Sequence, residues 1–234
     1  MKKNVFLIIL AAAAPLLFAR QVIAADTGQT AVEVTSPITI VADKAVWDRK
    51  REITVFTGNV VASQKGLQIK ADNLESYGSN EEIKKVIGWG KVIIYDAANT
   101  ATLKGGRIEY YRDNDYILVT EKPSMEMKRD NVFITGERME RYMKNKISIV
   151  TGNARLEQKT ANGNNLMFCE KAVYDEEKKQ VVATGSPKVY QDKNFFSGEE
   201  IIFHVEDEKV EILKNVKIEI TPEEKNDTGT SNPQ

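Results

Sequence analysis

The chain has 234 residues, of which 41% are hydrophobic and 29% are charged, and its formal net charge is −1. This composition is typical of one soluble domain, or at most two. Basic residues are interspersed with acids and form no basic stripe, which excludes the electrostatic footprint of a nucleic-acid-binding protein. Cys169 is the only cysteine, so an intrachain disulfide is excluded, and we expect its thiol to be buried.

The first 25 residues have the pattern of a secretory signal peptide. A basic start at Lys2 and Lys3 precedes an apolar run that is shorter than the ~20 residues needed to span a bilayer. We predict export and cleavage near Ala24 or Ala25, and retention of the segment as a membrane anchor is the alternative. Residues 26–36 are predicted to be a flexible lead-in.

The body of the chain begins with a hairpin of two bent strands in residues 38–60. Apolar residues alternate up to the small residue Ala42 and resume at Ala45, so the parity shifts by one and the strand bends there. In the second strand we expect Ile53 and Val55 to face inward, with another change of parity at the following Gly58-Asn59.

The same pattern recurs six times, at spacings of 29, 34, 31, 33 and 29 residues. The repeated small residues are Ala42, Ala71, Gly105, Gly136, Cys169 and Gly198. An acid follows the small residue in five of the six copies, at Asp43, Asp72, Glu137, Glu170 and Glu199. We interpret these acids as a solvated outward row, with a divalent-cation or substrate role as the alternative. Six stacked hairpins sharing one core predict a single elongated domain over residues 37–220.

The predicted fold is all-β, an elongated and twisted antiparallel jelly roll of about six hairpin repeats. Residues 221–234 have no large apolar residue and are predicted to be a disordered tail. The predicted strands are 38–48, 52–63, 67–77, 83–95, 101–112, 115–127, 131–142, 146–157, 165–175, 179–190, 195–206 and 209–220.

An I-x-I-x-A-D strand, a charged turn and a second strand ending in T-G-N-V together resemble the OstA-like family of lipopolysaccharide-transport proteins. The resemblance covers roughly residues 37–220. It implies a periplasmic carrier that binds lipopolysaccharide acyl chains in an apolar groove and passes the molecule from the inner to the outer membrane. An LptC-like membrane-anchored subunit of the same system is the alternative to an LptA-like soluble one, and a structural module that binds protein without lipid is another.

Inward-facing apolar positions are the candidates for the lipid groove that the resemblance implies. They are Ile38, Ile40, Ile53, Val55, Ile69, Leu74, Ile94, Leu103, Ile108, Ile117, Val119, Ile134, Met139, Ile149 and Leu156.

The first and last predicted strands are the candidates for pairing with other proteins, because a stack of hairpins leaves two unpaired edges. The edge-pairing candidates are Ile38, Ile40, Ile212, Val216 and Ile218. The resemblance implies an LptC-like inner-membrane partner and an LptD-like outer-membrane partner, and edge pairing also predicts head-to-tail self-association.

Catalytic and metal-binding patterns are lacking in the sequence. His204 is the only histidine, and no G-x-S-x-G, Walker or G-x-G-x-x-G motif is present. We therefore expect no enzyme activity, no metal and no cofactor. A carbohydrate-active enzyme is the rival from another class, and it would need two carboxylates about 5–9.5 Å apart in a cleft.

Overall fold

The computed structural model describes residues 38–64, 66–79, 83–97, 100–129, 131–160, 163–204 and 209–221. The predicted signal peptide, the lead-in and the predicted tail beyond Thr221 lie outside these residues. Within the described ranges, no helix is long and apolar enough to cross a membrane.

Eighteen β-strands are formed by the described residues. They are β1 Thr39–Val41, β2 Lys44–Asp48, β3 Ile53–Gln64, β4 Leu67–Gly78, β5 Ile83–Asp96, β6 Ala101–Tyr111, β7 Tyr116–Thr120, β8 Ser124–Met127, β9 Val132–Thr135, β10 Arg138–Tyr142, β11 Ile147–Thr160, β12 Gly163–Asp175, β13 Gln180–Thr184, β14 Lys188–Gln191, β15 Asn194–Ser197, β16 Glu200–His204, β17 Lys209–Leu213 and β18 Lys217–Glu219.

These eighteen strands correspond to the twelve predicted ones. The number is larger because six of the twelve are interrupted at the bend and are counted as two short strands each. Six are continuous (β3 to β6, β11 and β12), and the others consist of two short strands each, such as β1 followed by β2. Each bent strand pairs antiparallel with the bent strands before and after it in the chain. The predicted all-β antiparallel fold of hairpin repeats is confirmed, and this meander is consistent with a jelly roll.

The bends divide the sheet into two walls. Wall 1 contains β1, β8, β9, β14, β15, β18 and the adjoining parts of the six long strands, and wall 2 contains the remaining short strands and the other parts of the long strands. Every strand pairing joins residues of the same wall, so the walls are connected through the bends. The buried apolar residues of both walls form one core cluster between them.

The spacing between the inward residues on either side of the bend alternates from one bent strand to the next. In β4 the inward residues on either side of the bend are Ala71 and Leu74, three positions apart, as the sequence predicts. In β3 they are Phe56 and Val60, four positions apart, because Gly58 and Asn59 form a two-residue bulge in left-handed conformations. The predicted change of parity in the second strand of each hairpin is therefore wrong, since the bulge preserves it.

Two rows of inward residues build the core, and each row takes one residue from every bent strand. The wall 1 core row is Ile40, Ala62, Ile69, Ile94, Leu103, Met125, Ile134, Leu156, Met167, Val189, Phe196 and Ile218. The wall 2 core row is Ala45, Phe56, Leu74, Gly88, Ile108, Val119, Met139, Val150, Ala172, Ala183, Ile201 and Ile212.

The acidic row lies at the bends and contacts the bulge of the neighbouring strand. Asn59 Nδ2 donates a hydrogen bond to Asp43 Oδ2 at 2.9 Å, and Asn153 Nδ2 donates to Glu137 Oε1 at 3.0 Å. A Cβ added to Gly152 would lie 2.7 Å from the Glu137 carboxylate. The side chain of the acid thus packs against the glycine of the opposite bulge, and we call this contact the acid–glycine contact of the bend.

The third hairpin has the same acid–glycine contact, but the acid and the glycine have exchanged strands. Gly106 occupies the position of the acid, and Glu121 contacts it from the bulge of the neighbouring strand, where four of the other five hairpins have glycine. This exchange explains why the third copy departs from the acidic pattern. It supports the structural interpretation of the row.

Candidate lipid groove between the two walls

Most of the predicted groove residues face the space between the walls, and three do not. Ile53, Val55 and Ile149 pair with Tyr77, Glu75 and Glu140 on the outer face of wall 2. The sequence predicts an inward direction for these three residues because it assumes a change of parity at the bulge. The inward neighbours that this assignment missed are Phe56 and Val150, which the four-residue spacing to Val60 and Ala154 would have identified.

Beyond each core row, a second inward row lies nearer the free rim of the wall. The wall 1 rim row is Gln64, Leu67, Asp96, Ala101, Met127, Val132, Gln158, Asn165, Gln191 and Asn194. The wall 2 rim row is Trp47, Thr54, Ser76, Val86, Tyr110, Ile117, Arg141, Ser148, Tyr174, Val181, Phe203 and Val210.

The rim rows are open at the first-strand end and closed in the middle of the molecule. Ile38 is 36% exposed and Trp47 is 48% exposed, whereas Met127 and Tyr174, which lie on the rims further along, are almost fully buried. Side chains at the rim of separated walls would contact water. Their burial shows that the walls approach each other in the middle.

A cleft between the walls opens at the first-strand end. It has a cavity volume of about 50 Å³, and both walls contribute apolar side chains to it. Four predicted groove residues line it, namely Ile38, Ile40, Ile69 and Leu74. The lining residues that were not predicted include Leu67, Ile83 and Val86, of which Leu67 shares the alternation of Ile69 and Ala71.

The inner rows offer little for catalysis. Among the described residues of the four rows, Asp96 is the one carboxylate, so the facing pair that a glycosidase needs is not formed there. In the described part of the chain, no group of three or more His, Cys, Asp or Glu side chains could hold a metal ion. Burial raises the pKa of the Cys169 thiol to about 12, as expected for a packed side chain.

A family model described as "LptA/(LptD N-terminal domain) LPS transport protein" matches residues 39–167, which is more than half of the chain. The chain belongs to this lipopolysaccharide-transport family. The matched residues contain every residue that lines the cleft except Ile38. They also contain the strands β1 to β11 in full and the first part of β12.

Two relatives of the LptA/LptD N-terminal family are similar to this chain. The lipopolysaccharide export system protein LptA of Haemophilus influenzae is 25% identical over 142 residues, which cover 56% of this chain and 73% of that protein. The crystal structure of LptH of Pseudomonas aeruginosa, described as the LptA-homologous periplasmic component of the lipopolysaccharide transport device, is 16% identical. The match covers 80% of this chain and 96% of that one, with a TM-score of 0.26.

Both ends of the sheet of this LptA/LptD N-terminal family member are unpaired in the described residues. β1 and β2 pair on one side only, with β3, and β17 and β18 pair only with β16 and β15. Of the edge-pairing candidates, Val216 and Ile218 are about half exposed, whereas Ile212 packs against the core. Ile212 and Ile218 both belong to the core rows, so the part of the last strands that is left unpaired is their backbone edge.

The outer face of wall 2 carries a network of charged and tyrosine side chains in the middle of the family domain. Glu140 accepts hydrogen bonds from Tyr116 at 2.6 Å and from Arg138 at 2.9 Å, and Glu109 is bonded by Arg107 at 2.8 Å and by Tyr111. Burial raises the pKa of each glutamate, but the hydrogen bonds lower the pKa by more than burial raises it. The net shift of both pKa values is therefore downward. The network stabilises the ionised carboxylates against partial burial.

Proposed function

We propose that the protein is a periplasmic carrier that binds the acyl chains of lipopolysaccharide between its two walls. The observation that carries the proposal is the cleft at the first-strand end, where two apolar walls part within the family-matched region. Burial of apolar chains provides about 0.8 kcal/mol per methylene group, so no catalytic group is needed. The similarity to LptA of Haemophilus influenzae supports lipopolysaccharide as the cargo.

The proposed binding requires the walls to move apart. The cleft lies at the first-strand end, whereas Met127 and Tyr174 close the rims in the middle of the molecule, where both side chains are almost fully buried. Hairpins at the first-strand end are best placed to open, because their rims are already separated. The chain would then extend from the cleft along the two core rows.

Site-specific photo-crosslinking tests the carrier proposal. A photoreactive residue at Ile40, which lines the cleft, or at Ile117, on the wall 2 rim row, should form lipopolysaccharide adducts. Ile53 is the matched control, because it is an isoleucine on the outer face of the same domain. Equal adduct yields at Ile40 and Ile53, or no adduct at any inward position, would contradict binding between the walls.

We further propose that the unpaired edges join neighbouring proteins of the same fold, so that their grooves form one path between the membranes. An LptC-like partner would add to the first strand and an LptD-like partner to the last. Head-to-tail self-association follows from the same geometry, because a contact between unlike edges does not close on itself.

A proline substitution tests the edge-pairing proposal. Ile218→Pro should abolish concentration-dependent oligomers in sedimentation velocity, since proline disrupts the backbone ladder of β18. Ile218→Ala, which keeps the N–H group, is the control and should still form oligomers. If the proline variant forms the same oligomers with an unchanged β spectrum, edge pairing through β18 is wrong.

Export of the chain is proposed from its first 25 residues. N-terminal sequencing of periplasmic material should give a start near Asp26. An intact Met1 in the membrane fraction would instead assign the protein to an LptC-like anchored subunit.

A further inference from the structure

The rim rows of both walls carry polar side chains around β11, beginning at β11 on wall 1 and at β10 on wall 2. The wall 1 rim row passes from Val132 to Gln158 and Asn165, and the wall 2 rim row passes from Ile117 to Arg141 and Ser148. β11 contributes to both walls, with Ser148 on one side of its bend and Gln158 on the other. We refer to these four residues, Arg141, Ser148, Gln158 and Asn165, as the polar section.

The positive charge of the polar section is already neutralised. Arg141 Nη2 lies 2.7 Å from Glu176 Oε2, and Arg141 Nη1 donates to Ser148 Oγ at 2.9 Å. The guanidinium side chain is 12% exposed, so this ion pair lies largely away from solvent. The section therefore has little net attraction for an anion such as phosphate.

Two polar atoms of the section lack hydrogen-bond partners within the described chain. Arg141 Nε is a buried donor without an acceptor, and Gln158 Oε1 is a buried acceptor without a donor. Gln158 is 3% exposed, and its neighbours in the same strand, Ala154 and Leu156, share its inward direction. A buried polar atom without a partner is unfavourable, and an apolar side chain of similar size would avoid that loss.

A hydroxyl group suits either of these two atoms. It can accept from the Arg141 guanidinium N–H or donate to the Gln158 amide oxygen, and it carries no charge that would need compensation. The section is buried between apolar neighbours such as Val132 and Met127, so the remainder of the guest must also be apolar. A sugar ring, with hydroxyl groups on every side, would leave most of them unpaired there.

We infer that the polar section hydrogen-bonds a hydroxyl group carried by an acyl chain in the groove, and so selects hydroxylated chains over plain ones. The inference rests on the proposed binding of acyl chains between the walls. It adds a specificity determinant, centred on Gln158 and Arg141, to a surface that otherwise recognises chains by apolar burial alone.

Binding of matched fatty acids tests the inference. The purified protein should bind 3-hydroxytetradecanoic acid about three- to tenfold more tightly than tetradecanoic acid, the range expected for one added hydrogen bond. Gln158→Leu should abolish this preference, so that the two acids bind with equal affinity. Gln158→Met, which keeps the length of the side chain, is a second variant in case leucine disturbs packing.

Gln68→Leu is the matched control, because Gln68 lies on the outer face of wall 1. It should keep the preference of the unchanged protein, and circular dichroism should show that all variants are folded. We also expect Gln158→Leu to unfold at a higher temperature than the unchanged protein, since an unpaired buried oxygen is removed.

The outcomes separate this inference from the proposed function. Equal binding of the two acids by the unchanged protein overturns the hydroxyl site and leaves the carrier proposal standing. Loss of tetradecyl glucoside binding in Gln158→Leu, with the two acids bound equally, assigns the hydroxyl to a sugar and overturns the chain assignment. If neither acid binds, the hydroxyl site is wrong, and photo-crosslinking with lipopolysaccharide decides the carrier proposal.

Discussion

The first-strand end and the middle of the molecule are built from the same bent hairpins, yet one is open and the other is closed. Ile40 and Ile134 occupy the same wall 1 core row, but Ile40 is partly exposed whereas Ile134 is 0% exposed. The rim rows account for part of the difference. At the first-strand end the wall 2 rim has the small side chains Thr54 and Ser76, and in the middle it has Tyr110 and Tyr174.

The size of the rim side chains does not decide access by itself, because Trp47 is 48% exposed at the first-strand end whereas Ser148 is 5% exposed in the middle. The distance from an unpaired edge also contributes. The bends and the core rows are common to both regions. The same fold can therefore pack tightly in one section and remain open to a guest in another.

The largest effect is expected from truncating the same residue type in the two regions. Ile134→Ala should lower the free energy of unfolding by about 2–5 kcal/mol, because it leaves a cavity in the closed middle. Ile40→Ala should cost roughly 1 kcal/mol, since water already reaches part of that side chain. Urea unfolding of the two variants measures the contrast, and equal losses would show that the two regions are packed alike.

A smaller effect, equal in both regions, is expected at the bends. Gly58 has φ of 78° and Gly152 has φ of 74°, and each contacts a carboxylate of the neighbouring strand. Gly58→Ala and Gly152→Ala should each cost about 1–2 kcal/mol, because a Cβ is unfavourable in the left-handed conformation. Thermal unfolding should show similar losses, and a much smaller loss at Gly58 would mean that the bends also differ between the regions.

The smallest effect concerns acid stability. The Glu140 side chain is 12% exposed, and its pKa is lowered from 4.5, because the hydrogen bonds from Arg138 and Tyr116 outweigh the effect of burial. Its contribution to stability is therefore complete above pH 4.5 and is lost as the pH falls through the lowered folded-state pKa. Urea midpoints between pH 3 and 7 should fall less steeply on the acid side in Glu140→Gln.

Glu211 provides the comparison at the last-strand end. Its pKa is also lowered, by hydrogen bonds from Lys209 and His204, but the carboxylate is exposed to solvent. Water and salt screen this interaction, so Glu211→Gln should change the pH profile less than Glu140→Gln does. A larger change for Glu211→Gln would contradict the assignment of the buried network as the stronger one.

Alternation in the sequence predicted all twelve bent strands and the inward direction of most groove residues. It located the bend of the first strand in each hairpin because a small residue marks it. The bend of the second strand was misread because a two-residue bulge and a simple kink leave the same apolar alternation at short range. A bulge places the inward residues Phe56 and Val60 four positions apart, whereas a simple kink places Ala71 and Leu74 three positions apart. The two kinds of bend can be distinguished only when the inward residues of both walls are known.

The state of the groove could not be predicted from the pattern. Ile40 and Ile134 have equivalent positions in their repeats, and the packing of distant strands, together with the distance from an unpaired edge, decides whether water reaches them. Likewise, the unpaired buried atoms of Arg141 and Gln158 lie on opposite walls, and their burial depends on how closely the walls approach each other. Local alternation carries no information about that approach.

The meander has a consequence for how the protein folds. Since each bent strand pairs only with its neighbours in the chain, every contact between strands closes a short loop, and the entropy lost on closing it is small. Folding can begin at any hairpin and spread to the next, as in other repeat proteins. When the N-terminal part of the chain appears first, it can add one hairpin at a time to the growing sheet. The sheet does not need the C-terminal strand in order to begin folding.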